Sequence, residues 1–563
     1  MDASDREWFV ADFETTSYET YLKEGCTRVW LYAICNSQSE VVKWGDTIDD
    51  FMEYIKTIGK PLIYFHNLKF DGSFIIHWLL RNNFTYKEKI TLRSNKGFSC
   101  LIGEEGQFYQ ITINFAHDKQ VIIQDSLKLI PLKVKEIAKA FNLEIEKEKI
   151  DYSNYEINDE TLHYVFNDVK IVAKALAFFR SNGFNKMTIG ANSYNIFKDS
   201  CPLFNSLFPN LSEEWLLEWR DAYRGGRSQV NPLYQGQILH NVRRYDINSM
   251  YPYTMAKFPM PYGKPIPITK RGRYKFELYK INVSFKLKKG HLPTLLKKGA
   301  MFGNNDTYYI NTDLVETIYI SNIDLELLYR HYDITFIEYV EMYGFKTSCV
   351  IFEDFINEFY ALKNASTGGM KLLYKLIINN LYGKFGSKCR GSVKIPMLDD
   401  NSEITFDLSD EKSMRKYYLP VAIQVCSVAH KLIDDAIMLT GYDNFVYCDT
   451  DSVHTLGTLP DYLVDNKELG KFKLEGIEDT AKYIRQKCYV HKQGDVYTIT
   501  CSGMTEGIKD YLVEKYQDEV FYKFEIGLKV DENSEGIKRE QLKLRPMQVN
   551  GGVVLKPVPF SIH

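Results

Sequence analysis

The chain has almost no net charge: 70 Lys and Arg stand against 73 Asp and Glu, leaving −3 at pH 7. That excludes a general polyanion binder, because nonspecific affinity for nucleic acid grows with the phosphates neutralised. It does not exclude an enzyme acting on nucleic acid, where a carboxylate cluster lowers the total while basic residues line a local channel. The ten cysteines contain no C-x-x-C pair and follow no regular spacing, which argues against a zinc site or a disulfide framework and for a reducing compartment. No basic start leads into an apolar run, and no apolar stretch is long enough to span a bilayer, so neither secretion nor a membrane span is expected. Repeats and low-complexity tracts are absent too.

At 563 residues the chain is too long for one core, and 45% hydrophobic with 25% charged residues is ordinary globular composition. The 40 Tyr and 34 Phe suit base stacking, although any one of them is more often a core residue. The N-terminal part alternates strand patterns (Trp8 to Ala11, Arg28 to Ile34, Pro61 to Phe65) with a helical one from Gly72 to Leu80, which predicts an α/β domain ending near Gly183. Pro252 is expected to stop a strand, and short lysine-rich strands follow it. Residues 352–384 read as helical, with Gly383 and Gly386 as stops; 399–403 reads as a polar loop or hairpin tip, and the segment after Tyr516 as a small β-rich unit.

The chemistry concentrates in carboxylates. Asp449 and Asp451, one residue apart between apolar strand patterns, would leave one face of a strand and repel unless a cation sits between them. Oxygen-only donors select a hard ion such as Mg²⁺. A solvated hairpin tip shows the same pattern. Asp246, in Tyr245-Asp246-Ile247-Asn248-Ser249-Met250-Tyr251-Pro252, could supply a second bridging carboxylate from another strand. Near the N-terminus Asp12 and Glu14 share a strand face, Asn67 and Asp71 lie at i, i+4 before a helix, and Tyr164 and Asp168 lie at i, i+4 on one. Two-metal phosphodiester hydrolysis needs such acids, with a phenol to orient water. Lys371, Lys375, Asn379 and Tyr382 form one polar helical stripe, which suits a nucleotide but is also what a solvated face looks like.

These residues carry a resemblance. Asp12-x-Glu14, Asn67-x-x-x-Asp71 and Tyr164-x-x-x-Asp168 resemble the three motifs of DnaQ-type proofreading 3′→5′ exonucleases, which have a ribonuclease-H-like fold. Tyr245-Asp246-x-x-Ser249-Met250-Tyr251-Pro252, Lys375-x-x-x-Asn379-x-x-Tyr382-Gly383 and Tyr447-x-Asp449-Thr450-Asp451-Ser452 resemble motifs A, B and C of family B DNA polymerases, in the same order. Tyr223-Arg224-Gly225-Gly226 and Lys487-Cys488-Tyr489 are similar to the linker and primer-gripping signatures of the protein-primed branch found in bacteriophages with linear genomes. Met250 replaces the more usual Leu of motif A.

The resemblance implies an α/β multidomain fold: an exonuclease domain over 1–187 and a right-hand polymerase domain over 188–563. Within the latter, 188–257 and 418–515 would form the palm, 353–387 the fingers and 516–563 the thumb, with insertions at 258–352 and 388–417. It implies that Asp246 and Asp451, with the Ile247 carbonyl, hold two Mg²⁺ ions, Mn²⁺ being a substitute, and that Asp449 contributes more weakly. Tyr251 would exclude a ribose 2′-OH, Lys363, Lys371 and Lys375 would meet the dNTP triphosphate, and Asn379 and Tyr382 would border the base pair. Lys487 and Tyr489 would hold the primer end, and Tyr223, Arg224, Gly225 and Gly226 would touch DNA between the two activities. In the other domain Asp12, Glu14, Asp71 and Asp168 would hold the second metal pair, Tyr164 would place water, and Lys147 would steady the scissile phosphate. Thr15, Tyr64, His66, Asn67, Phe70, Ser126 and Leu127 would contact the single strand. Template and primer DNA, dNTPs and a separate terminal protein are the implied partners, in the cytoplasm of an infected bacterium, with strand displacement as the mode of elongation. A nuclease whose C-terminal half only binds DNA is the competing expectation, and it predicts no dNTP incorporation.

Overall fold

A computed structural model describes residues 5–92, 94–116, 118–143, 155–297 and 307–563. The N-terminal unit is built on an eight-stranded mixed sheet. Its strands run, edge to edge, Val41–Gly45, Val29–Asn36, Trp8–Thr15, Leu62–Phe65, Lys119–Asp125, Phe108–Ala116, Gly97–Ile102 and Thr85–Tyr86. The central strand Trp8–Thr15 alternates strictly. Phe9, Ala11 and Phe13 enter one core with Phe51, Phe65 and Phe74, while Val10 enters the opposite core with Val165, Val169 and Val172 of the helix Asp159–Ser181. Asp12 and Glu14 have the parity of Val10, so they leave the sheet on the side of that helix. Asn158 caps the helix, its side chain accepting from the Thr161 N–H.

The second sheet has five antiparallel strands in the order Phe472–Glu478, Val242–Ile247, Ser452–Thr455, Phe445–Asp449 and Ser228–Val230. Ala429, Ile433, Ala436 and Ile437 of the 22-residue helix Leu419–Thr440 pack beneath it, against Tyr245, Ile247, Phe445 and Cys448.

Three expectations change. The lysine-rich region holds long strands, Phe276–Leu287 and Tyr332–Ser348, in a four-stranded antiparallel sheet. In the first, Lys280, Asn282, Ser284 and Lys286 alternate with buried Ile281, Val283 and Phe285, which made the strand look interrupted. Pro252 does not end a strand; it sits in the first turn of the helix Met250–Lys257, where its missing N–H costs nothing. The helical run 352–384 is two helices, Glu353–Ala365 and Gly368–Phe385, folded back at Ser366 and Thr367. Gly383 lies inside the second helix and Gly386 caps it. At Gly369 a Cβ would lie 2.6 Å from the Phe141 ring, so glycine there lets the helix start dock on the N-terminal unit.

The tip at 399–403 does join a hairpin, Lys394–Leu398 with Ile404–Leu408. A C-terminal hairpin, Lys543–Val549 with Gly552–Val558, returns to the N-terminal unit. There His77 Nε2 lies 3.0 Å from the Gly551 nitrogen and 3.1 Å from the Ser402 carbonyl oxygen, accepting from the first in one tautomer or donating to the second in the other. Among the described residues no helix is long and apolar enough to cross a membrane.

Candidate active sites

Asp246 lies near the end of the inner strand Val242–Ile247, opposite Ser452 on one side and Lys473 on the other. Asp449 and Asp451 are not two positions of one strand, as the alternation argument expects. Asp449 ends its strand and Asp451 lies in the hairpin turn, with Thr450 between them at φ +60°. Three backbone bonds pin the turn: Asp451 N–H to Asp449 O at 2.7 Å, Thr450 N–H to Arg227 O at 2.7 Å, and Ile247 N–H to Asp451 O at 2.8 Å. The turn, not a pleat, carries Asp451 to Asp246.

Lys487 Nζ donates to both Asp449 oxygens, at 2.7 and 2.8 Å, so Asp449 is already neutralised. Burial, then the charges of Asp451 and Glu475, pushes the Asp246 carboxyl up to about 7, with Lys473 and Lys375 pulling the other way. Burial and Asp449 also raise Asp451, against Lys487 and Lys375. Crowded, desolvated carboxylates of this kind are relieved by a divalent cation.

The helices Glu353–Ala365 and Gly368–Phe385 bring up the polar stripe. Lys363 Nζ donates to Ser249 Oγ at 3.2 Å and lies 3.9 Å from the Tyr360 ring centre. Burial, with Lys375 and Lys371 nearby, pushes its pKa down to about 8. Such a cluster of cations is matched by a polyanion. The rings of Tyr251 and Tyr382 pack with centroids 4.0 Å apart, and the buried Oδ1 of Asn379 has no hydrogen-bond partner. Tyr489 joins a cluster with Tyr447 and Tyr483, at 5.1 and 5.2 Å, and the Tyr447 hydroxyl accepts from the Lys487 N–H at 3.1 Å.

The Tyr223 to Gly226 loop lies under the turn. A Cβ on Gly226 would come within 2.5 Å of Thr450 Oγ1, and the Gly225 carbonyl accepts from His430 Nε2 at 2.7 Å. Tyr223 packs over the backbone of Gly386. Arg224 departs from the expected DNA contact. It is buried, and its guanidinium is committed to the Leu296 and Tyr319 carbonyls, both at 3.1 Å, and to Asp221.

In the N-terminal unit Asp71, from the helix Leu68–Arg81, faces Asp12 and Glu14. Burial, then the charges of Asp12 and Glu14, raises its carboxyl well above the usual range. Asp168, on the long helix, lines a cavity of about 110 Å³ with Asp12, His66 and Val169, and Tyr164 is buried one turn earlier. Lys147 lies outside the described residues. His66 is fixed by Ser126 Oγ at 2.9 Å and the Leu132 carbonyl at 2.7 Å. Asn67, at φ +75°, and Leu127 both donate their N–H to Asp125 Oδ1 at 3.0 Å. Asp125 escaped sequence reasoning; its only signal is an acid ending an apolar strand before Ser126. Thr15 ends the central strand and Phe70 packs on Phe74 at 5.8 Å. Tyr64 and Ser126 are buried, with hydroxyls committed to Arg180 and to the Phe65 carbonyl. They shape the wall instead of presenting a polar atom.

Both carboxylate groups fit a hard divalent ion by donor chemistry. Among the described residues no three His, Cys, Asp or Glu side chains close into an ion cage. That is compatible with Mg²⁺, which keeps several waters and takes substrate phosphates as ligands.

The chain matches the family model for DNA polymerase type B, organellar and viral, over residues 55–156 and 151–469. It is 35% identical to the DNA polymerase of Bacillus phage M2, over 99% of this chain and 100% of that one. To the DNA polymerase of Streptococcus phage Cp-1 it is 32% identical, over 99% and 98%. The structure superposes on Phi29 DNA polymerase complexed with primer-template DNA and incoming nucleotide substrates, with TM-score 0.88, 33% identity, and coverage of 99% and 100%. The same polymerase complexed with single-stranded DNA matches equally well, at TM-score 0.88. With 99% of its length aligned to phage enzymes and most of it to the family model, this chain belongs to the organellar and viral type B DNA polymerases.

Proposed function

We propose that this DNA polymerase replicates a linear phage genome from a terminal-protein primer, elongates with strand displacement, and proofreads with its own 3′→5′ exonuclease. The observation that carries the two-site reading is a pair of separate carboxylate clusters whose acids are raised by burial and mutual charge. At the second, Lys375 acts on the carboxylates and stands with Lys363 and Lys371. Hydrolysis needs water and a place for one phosphate; synthesis must also neutralise a triphosphate.

At the synthetic site Asp246 and Asp451, with the Ile247 carbonyl, would hold two Mg²⁺ ions. When bound, these supply acidity to a primer 3′-hydroxyl and charge neutralisation to departing pyrophosphate. Lys363, Lys371 and Lys375 bind the triphosphate, and Tyr251 under the sugar rejects a 2′-hydroxyl by bulk. Tyr382 and Asn379 border the nascent base pair; Lys487 and Tyr489 hold the primer terminus. At the other site Asp12, Glu14, Asp71 and Asp168 would hold the second ion pair. There Tyr164 orients water, and Lys147 contacts the scissile phosphate. One relative, Phi29 DNA polymerase, solved both with primer-template DNA and nucleotide and with single-stranded DNA, supports these substrate classes. Terminal-protein priming in a bacterial cytoplasm rests on the Tyr223 to Gly226 and Lys487 to Tyr489 signatures and on the two insertions. The hairpin 394–408 would flank the downstream DNA during displacement.

The test is a pair of variants on a primed template with Mg²⁺ and dNTPs. Asp451→Ala should abolish extension and leave degradation of single-stranded DNA intact; Asp12→Ala with Glu14→Ala should do the reverse. Loss of both activities from either change in a folded protein would defeat the two-site reading. Labelled dAMP transfer to a candidate terminal protein tests the priming step.

A further inference from the structure

The polymerase turn is held from below by a buried ion pair that plays no part in the chemistry described. Arg227 is 1% exposed and Asp434 not at all, with Nη1 to Oδ1 at 2.8 Å. Asp434 sits on the helix Leu419–Thr440, and its other oxygen takes Arg330 Nη1 at 2.7 Å and His331 Nε2 at 3.0 Å. The Gln229 amide, oriented to satisfy both neighbours, accepts from Arg227 Nε at 2.8 Å. Burial opposes ionisation of Asp434, yet the bond from His331 and the charge of Arg227 hold its carboxyl below the usual range. An ion pair buried this deeply adds little stability over an apolar pair of the same shape. Its value lies in what it fixes.

What it fixes is the main chain of residue 227. The Arg227 carbonyl receives the Thr450 N–H, the next residue Ser228 pairs with Asp449, and the preceding Gly226 lies against the Thr450 side chain. One turn earlier on the same helix, His430 grips the Gly225 carbonyl and is itself held by Asp324 at 2.9 Å. Residues 225–227 are thus clamped to the helix at two points, and Thr450 rests on the clamped segment.

We infer that Arg227 and Asp434 are positioning residues for DNA synthesis: their pair sets the height of the Asp449-Thr450-Asp451 turn over Asp246, acting through the Arg227 carbonyl. This rests on the reading that Asp246 and Asp451 catalyse synthesis. Neither Arg227 nor Asp434 touches substrate. Releasing the clamp should slow the chemical step without changing how nucleotide or single-stranded DNA binds.

The test compares Arg227→Lys with the double variant Arg227→Met/Asp434→Asn, in which the Asn still accepts from Arg330 and His331 while no buried charge is stranded. Single-turnover dNTP incorporation, the apparent Kd for dNTP, single-strand degradation and the thermal midpoint are measured on the full chain. A 1 Å misplacement costs on the order of 100-fold in rate, so the double variant should lose about 10- to 100-fold in incorporation rate. Its dNTP affinity, degradation and melting should stay near wild type, and Arg227→Lys, which keeps the pair, should recover most of the rate. A double variant that incorporates at the wild-type rate overturns the inference. So does one whose incorporation and degradation fall together with its midpoint, because the pair would then only hold the fold. Asp451→Ala, run alongside, separates the premise: if it still extends primers, the underlying assignment has failed, whatever the clamp variants do.

Discussion

Replacing Asp246 by Asn should make the metal-free protein more stable while abolishing synthesis. Folding carries the Asp246 carboxyl from an ordinary 3.8 to about 7, through burial and the charges of Asp451 and Glu475. At pH 8, where the group is ionised in both states, that difference costs the folded state about 4 kcal/mol, or about 2 kcal/mol once screening at the solvent-exposed side is counted. The sign follows from proton binding. Between about pH 4 and 7 the native protein holds a proton that the unfolded chain has released, so stability falls as pH rises through that window. Asn has no such cost. In EDTA at pH 8 the thermal midpoint of Asp246→Asn should exceed that of wild type by about 2–4 °C, and the gap should close as pH falls toward 4. Millimolar Mg²⁺ should raise the wild-type midpoint and leave the variant's nearly unmoved. A variant that melts below wild type in EDTA at pH 8, or a gap independent of pH, would refute the claim that crowded carboxylates are the cause.

Gly226→Ala would drive a Cβ to 2.5 Å from Thr450 Oγ1 and 2.8 Å from its Cγ2, so the Asp449-Thr450-Asp451 turn must move. Primer extension should fall by about 100-fold while single-strand degradation, assayed on the same preparation, is unchanged. Lys363, held near 8 by burial beside Lys375 and Lys371, loses its charge as pH climbs above that value. The dNTP KM should therefore rise between pH 8 and 9.5, and Lys363→Met should raise KM about 10-fold at pH 7.5 and flatten the profile. Tyr251→Val removes the ring that packs at 4.0 Å on Tyr382 and should narrow the preference for deoxynucleotides by about 100-fold, read as the ratio of kcat/KM for dNTP and rNTP.

The N-terminal site was legible because regular periodicity does its work there. Asp12 and Glu14 follow the parity of Val10 on a strand whose two faces enter two cores, and Tyr164 and Asp168 lie one turn apart on a capped helix. Local rules place such residues without knowledge of the rest of the chain. The strand Phe276–Leu287 was read as short because Lys280, Asn282, Ser284 and Lys286 interrupt its apolar residues. The helix Leu419–Thr440 was missed for a different reason: it is buried nearly all round, so Gln424, Ser427, His430 and Asp434 face other parts of the protein and mark no boundary between core and solvent. Asp449 and Asp451 were rightly paired and wrongly placed. Nothing in Asp-Thr-Asp announces a β-branched residue at φ +60°, a conformation imposed by its surroundings.

Those surroundings explain why the two sites differ in kind. Asp12, Asp71 and Asp168 project from a strand and two helices whose own hydrogen bonds fix them. Asp451 projects from a turn tied to Arg227 and Ile247, next to an Asp449 tied to Lys487, and Arg227 lies more than two hundred residues away in sequence. A turn held by distant contacts can be displaced by changes that leave every nearby element folded, whereas an acid on a helix moves only if the helix does. Substitutions under the turn, at 226, 227 or 434, should accordingly separate synthesis from degradation. Changes in the helix Asp159–Ser181 should instead lower degradation and the stability of the N-terminal unit together, because Val165, Val169 and Val172 pack the core from the same helix that carries Asp168.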